Sequence, residues 1–102
     1  MNAQLSLRKL LTIVCEADQE TLVLRDLKAL GARGYTITDA RGDGTHGERD
    51  AAWPSSANIR IEVLCTEQTA SQIVEHLQNR YYANYGMVTF LLDVQVLRPE
   101  KF

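Results

Sequence analysis

Residues 58–65 read NIRIEVLC, and they alternate strictly: Ile59, Ile61, Val63 and Cys65 fall on one side, Asn58, Arg60, Glu62 and Leu64 on the other. Successive side chains of a strand point to opposite faces, so this octet predicts a strand with one face in a core. Upstream, residues 41–56 (RGDGTHGERDAAWPSS) hold three glycines, a proline and many small polar residues. They predict a long loop, of a length that compact domains keep mainly for function. Before that loop, YTITDA (35–40) carries the β-branched and aromatic residues of a second strand.

Further out on both sides a helix is expected, followed by a strand. Asp18 is placed to cap a helix in which Val23, Leu27 and Leu30 recur at helical spacing, and Gly31 and Gly34 close it. LSLRKLLTIVC (5–15) predicts the first strand, with Leu11, Ile13 and Cys15 on one face. After the octet, Thr69 and Gln72 suggest a capping box, and Ala70, Ile73, Val74, Leu77 and Tyr81 a helical stripe over 68–82. Residues 87–97 close the pattern as a strand, with Val88, Phe90, Leu92, Val94 and Val96 on one face. The order βαββαβ predicts an α+β, ferredoxin-like domain: a four-stranded antiparallel sheet with two helices on one face. Leu10, Val14, Leu64 and Leu91 are expected on the uncovered face, too apolar for water, so a second subunit should cover them.

The bulk properties exclude several functions. The 102 residues make one domain, and the 45% hydrophobic and 24% charged composition is that of a globular chain. A net charge of -2 supplies no basic field to grip a nucleic acid. No apolar run approaches a membrane span and no secretory signal precedes the first strand, so the expected location is cytoplasmic. Cys15 and Cys65 sit in apolar strand-like runs and read as buried thiols. With two Cys and two His scattered along the chain, no metal site is expected. His76 reads as a solvated helix residue, and the tyrosines at 81, 82 and 85 as packing groups rather than a base-stacking platform. Trp53-Pro54, in the long loop, suits either a partner contact or packing within the loop.

What stands out is Gly42, Gly44 and Gly47 directly after a strand, interleaved with Arg41, His46 and Arg49. Glycines let backbone N–H groups approach an anion, and arginine adds planar charged donors that suit phosphate. A plain hairpin loop is the competing reading, because the element that follows is a strand rather than a helix.

These residues resemble a known family. GARGYTITDARGDGTHGERD (31–50) is similar to the helix exit, second strand and T-loop base of PII signalling proteins. NIRIEVLC (58–65) and RYYANYGMVTFLLDVQVL (80–97) resemble the PII-like subgroup associated with carboxysomes, the carbon-concentrating mechanism and bicarbonate transport, the SbtB type. The resemblance implies a PII-like homotrimer with adenine nucleotides in the intersubunit clefts and a T-loop at about 41–57. It implies roles for Thr36 at the adenine, Gly42 and Gly44 at the cleft, and His46 and Arg49 toward phosphate. Gly86, Met87 and Val88 would offer backbone across the subunit boundary, and Arg98 would bind phosphate. The expected ligands are AMP and ADP ahead of ATP, with cyclic AMP and bicarbonate as further candidates, and the expected partner is a membrane bicarbonate transporter.

Three departures shape those expectations. His46 stands where relatives can carry arginine, which would make phosphate affinity weaker or pH-dependent near neutrality. ANYGM (83–87) replaces the glycine-lysine turn of ordinary PII proteins, so strong discrimination for a triphosphate is not implied. No cysteine-containing extension follows residue 102, so redox control of that kind is not expected. No cofactor and no catalytic residue are expected. Two alternatives remain: a small nucleotide-hydrolysing enzyme that gathers Asp39, Asp43, His46 and Glu48 around a metal ion, or an oligomeric interaction module with no small ligand.

Overall fold

The computed structural model describes residues 4–42 and 57–102. Strand β1 (Ser6–Glu16) leads through a 3₁₀ turn (Ala17–Gln19) into helix α1 (Glu20–Ala29) and then strand β2 (Thr36–Ala40). Strand β3 (Asn58–Cys65), helix α2 (Glu67–Arg80), strand β4 (Val88–Val96) and a 3₁₀ turn (Pro99–Lys101) follow. The four strands form one sheet in the order β2-β3-β1-β4, every neighbouring pair antiparallel. This is the ferredoxin-like α+β fold that the order βαββαβ predicts.

The helix starts differ from expectation. Asp18 lies in the 3₁₀ turn, and α1 begins after Gln19, whose side chain makes no capping hydrogen bond. In α2 the cap is Thr66, whose Oγ1 accepts from the Thr69 backbone N–H at 3.2 Å. The α1 exit does follow the sequence. Gly31 sits at φ +102, the Gly31 N–H donates to Lys28 O at 3.1 Å, and the Ala32 N–H donates to Leu27 O at 2.9 Å. That crossed pair satisfies carbonyls a helix end leaves open, and it requires the left-handed backbone that glycine adopts without strain.

The core lies between the sheet and the helices. Leu11, Ile13 and Cys15 of β1 and Ile59, Ile61, Val63 and Cys65 of β3 meet Val23 and Leu27 of α1 and Ala70, Ile73 and Leu77 of α2. Strand β4 departs from the expected facing. Its register pairs Val88 with Val14, Phe90 with Thr12 and Leu92 with Leu10, so these side chains lie on the face away from the helices. Leu91, opposite Leu11, is on the helix side. Alternation separates this apolar set from Thr89, Leu91, Asp93 and Gln95, but it does not say which face of the sheet the apolar set takes, and a shift of one residue in the pairing would exchange the two.

His76 is not a free surface histidine. Asp26 of α1 accepts hydrogen bonds from His76 Nε2 at 3.0 Å and from the Tyr81 hydroxyl, with Arg80 Nε 3.6 Å away. Burial alone would raise the Asp26 carboxyl. The hydrogen bonds from Tyr81 and His76, with the positive charge of His76 and Arg80, outweigh it and hold the group below its usual range. A depressed carboxyl stabilises a fold at pH values above its unfolded value, near ~3.9, and the contribution is lost as pH falls through the lower folded value. Asp26→Asn should therefore lower the urea midpoint at neutral pH, and the gap from wild type should close as pH is taken below about 4. A gap that does not change with pH would show that the carboxylate charge contributes nothing.

Candidate functional site

On the face away from the helices, Thr36 of β2 pairs with Glu62 of β3, which pairs with Thr12 of β1, which pairs with Phe90 of β4. Beside the β2 end of this row lies a hollow of about 450 Å³, lined by Leu10, Gly34, Tyr35, Thr36, Glu62, Leu64 and Phe102. Its volume is that of a small-molecule site. Leu10 and Leu64, directly opposite each other in the β1/β3 ladder, supply an apolar floor. Thr36 and Glu62 supply polar groups, a hydroxyl that donates or accepts and a carboxylate that accepts. The arrangement suits a flat, mainly apolar body with a donor on its edge. Arg60 approaches Glu62 at 3.5 Å and also lies over the Phe90 ring, its guanidinium carbon 5.9 Å from the centroid.

The expected site residues separate into groups. Thr36 opens β2 and lines the hollow. Gly42 follows β2, exposed, with open space where a Cβ would stand. Gly86, Met87 and Val88 lie at the start of β4, on the opposite edge of the sheet. Met87 is 7% exposed and belongs to the core, so its backbone alone could meet a ligand. Val88 is 56% exposed on the open face. Arg98 is exposed beyond β4, in a left-handed conformation at φ 60. Gly44, His46 and Arg49 lie outside the described residues, as do Asp43, Glu48 and Trp53-Pro54.

β2 and β4 are the two outer strands of the sheet. Three strand spacings separate them, about 14 Å at ~4.8 Å each. Within one chain, therefore, Thr36 and the Gly86–Val88 segment do not meet. Asp39, the one described member of the hydrolase alternative, alternates with Thr36 and Thr38 and so faces the helix side rather than the hollow. The sequence reading missed Glu62, Leu64, Tyr35 and Phe102 as lining residues. Glu62 and Leu64 had a signal: both belong to the outward set of a strand whose inward set is fully assigned to the core.

No group of three or more His, Cys, Asp or Glu is placed to hold a metal ion among the described residues. Among those residues, no helix is long and apolar enough to cross a membrane.

A model of the family "Nitrogen regulatory protein P-II" matches residues 8–101. The chain belongs to that family. Its fold is similar to that of a PII-like signaling protein of Thermus thermophilus, 37% identical, covering 97% of this chain and 98% of that one with a TM-score of 0.83. It is also similar to CPII of Thiomonas intermedia, a nitrogen regulatory PII-like protein. The CPII structure bound to ADP and bicarbonate is 29% identical, covers 99% of both chains and has a TM-score of 0.87. The one bound to ADP, AMP and bicarbonate is 28% identical, covers 99% of this chain and 98% of that one, and has a TM-score of 0.86.

The two thiols take no part in the hollow. Burial, with Glu16 and Glu20 nearby, pushes the Cys15 thiol up to about 11, and burial raises Cys65 as well. Thiolate is the reactive form, so both should be inert in the folded protein. An aromatic disulfide reagent at mildly alkaline pH should label neither cysteine until denaturant is added, as mass spectrometry would show; rapid labelling of either one in the native protein would contradict its placement.

Proposed function

We propose that this chain is a PII-like sensor of the SbtB type, binding adenine nucleotides in clefts between the subunits of a homotrimer and acting by signalling rather than catalysis. The observation that carries the reading is the division of the candidate residues between the two outer edges of the sheet, Thr36 on β2 with Gly42 just beyond it and Val88 on β4 with Gly86 and Met87 just before it. Neither edge makes a site alone, whereas the β2 edge of one copy set beside the β4 edge of the next would make a complete one. The open face supplies the means of association. Val88 (56%), Phe90 (39%) and Leu92 (54%) are exposed beside Leu10, Val14 and Leu64, a larger apolar surface than a water-facing sheet carries.

In this reading the base lies in the hollow at Thr36. The phosphates meet backbone near Gly42, Gly44 and Gly86–Val88, with charge from His46, Arg49 and Arg98. ADP and AMP are the preferred ligands, as ADP and AMP are bound by CPII, with ATP and cyclic AMP weaker candidates and bicarbonate a second ligand. The T-loop, about residues 41–57, changes conformation with the ligand, and this population shift alters affinity for a membrane bicarbonate transporter from the cytoplasmic side. A ligand can move that equilibrium only by its difference in affinity for the two loop states.

Calorimetric titration with AMP, ADP, ATP and cyclic AMP, with and without bicarbonate, combined with light scattering for mass, tests this directly. The expected result is saturable ADP and AMP binding to a species of three chains. No binding up to millimolar nucleotide would overturn it, and steady phosphate release abolished by a chelator would favour the hydrolase. Arg49→Ala should weaken nucleotide binding with the melting temperature unchanged; undiminished affinity would remove Arg49 from the site.

A sharper test uses the split. Thr36→Arg and Val88→Asp should each abolish binding, and mixing the two variants under subunit exchange should restore part of it, because some clefts then join two unaltered edges. Absence of recovery, with exchange demonstrated by mass spectrometry, would contradict a shared site.

A further inference from the structure

Beyond β4 the chain doubles back across the sheet. Arg98 takes φ 60, a conformation uncommon for a residue with a side chain. The turn Pro99–Lys101 is then tied from two directions. Arg8 of β1 donates from Nη2 to Pro99 O at 3.2 Å, and Arg33, between α1 and β2, donates from Nη1 to Glu100 O at 3.0 Å. Inside the turn, the Lys101 N–H donates to Arg98 O and the Phe102 N–H to Pro99 O, each at 3.1 Å. These ties carry Phe102, itself partly buried, from the β4 edge to the hollow at the β2/β3 side, which it lines together with Tyr35, Leu10 and Leu64.

We infer that Phe102 is the stacking wall for the base of the bound nucleotide, so that residue 102 governs affinity through its ring rather than its bulk. The inference rests on reading the hollow as the base end of the nucleotide site. The physical argument is one of placement. An aromatic side chain held at the margin of an open hollow offers a face to a flat ligand at little cost in conformational freedom. Leu10 and Leu64 form an apolar floor, and the polar groups, Thr36 and Glu62, are left for the edge of the base. If the ring merely shielded that floor, leucine would do as well. If it stacks, leucine fails and tryptophan serves, because stacking needs a π-face and apolar covering does not.

The test is calorimetric titration of ADP into wild type and the variants Phe102→Trp, Phe102→Leu and Phe102→Ala, each with its melting temperature. Stacking predicts Trp at least as tight as Phe, and Leu and Ala both weaker by about tenfold, with little change in melting temperature. Affinity for the Leu variant equal to wild type, or for the Ala variant equal to wild type, overturns the stacking role while leaving the nucleotide reading in place. Weakening that tracks a fall in melting temperature across the series would make Phe102 a structural plug and overturn it too. Failure of wild type itself to bind ADP would remove the nucleotide reading, and this inference with it.

Discussion

The parity of the β1/β3 ladder is the constraint on which the rest depends. Leu11 opposes Val63, Ile13 opposes Ile61 and Cys15 opposes Ile59, all facing the helices, so Leu10, Thr12, Val14, Arg60, Glu62 and Leu64 must face away. Hydrophobic burial against Val23, Leu27, Ile73 and Leu77 fixes that choice. A slip of one residue would put Glu62 and Arg60 into the core, where an ion pair seldom recovers the cost of its desolvation. The floor of the hollow, its Thr36 and Glu62 rim, and the apolar surface running to Leu92 are consequences of this single pairing.

The two faces of the sheet are therefore specialised. The helix side is closed by packing and by the network around Asp26, which joins α1 to the end of α2 through Tyr81 and His76. The other side holds the hollow and the exposed side chains of β4. This division leaves the hollow and its polar groups on a surface backed by the packed core. A site built on strand positions is held more firmly than one built on loops alone.

Much of this was legible in the sequence, for identifiable reasons. Strand β3 came through to the residue, Asn58–Cys65, because its alternation is strict and its inward set is uniformly apolar. The α1 exit was legible because Gly31 can take, without strain, the backbone that the crossed hydrogen bonds need. The facing of β4 was not, since the alternation of VTFLLDVQV marks its apolar set but not the side of the sheet that set occupies, and only the ladder with β1 decides it. His76 was misread because its partner, Asp26, lies 50 positions away, beyond the reach of any local pattern. The hollow was half legible: Thr36 came from family resemblance, whereas Phe102 reaches it only through the ties to Arg8 and Arg33, which join parts of the chain far apart in sequence.

On the proposed assembly, association and ligand binding cannot be independent. Covering aliphatic and aromatic side chains such as Val88, Phe90 and Leu92 stabilises association by roughly 1.5–3 kcal/mol for each one fully buried. Lost rigid-body freedom opposes that gain by an amount of the same order as several such side chains together. The face alone then leaves the balance between copies modest, and any ligand that touches Thr36 on one chain and the Gly86–Val88 backbone on the next adds its free energy to the assembled state and none to the separated one. Linkage makes the effect reciprocal, so whatever strengthens the contact between copies also strengthens the grip on the ligand. An apolar sheet face and a site divided between its two edges are, on this reading, two parts of one equilibrium.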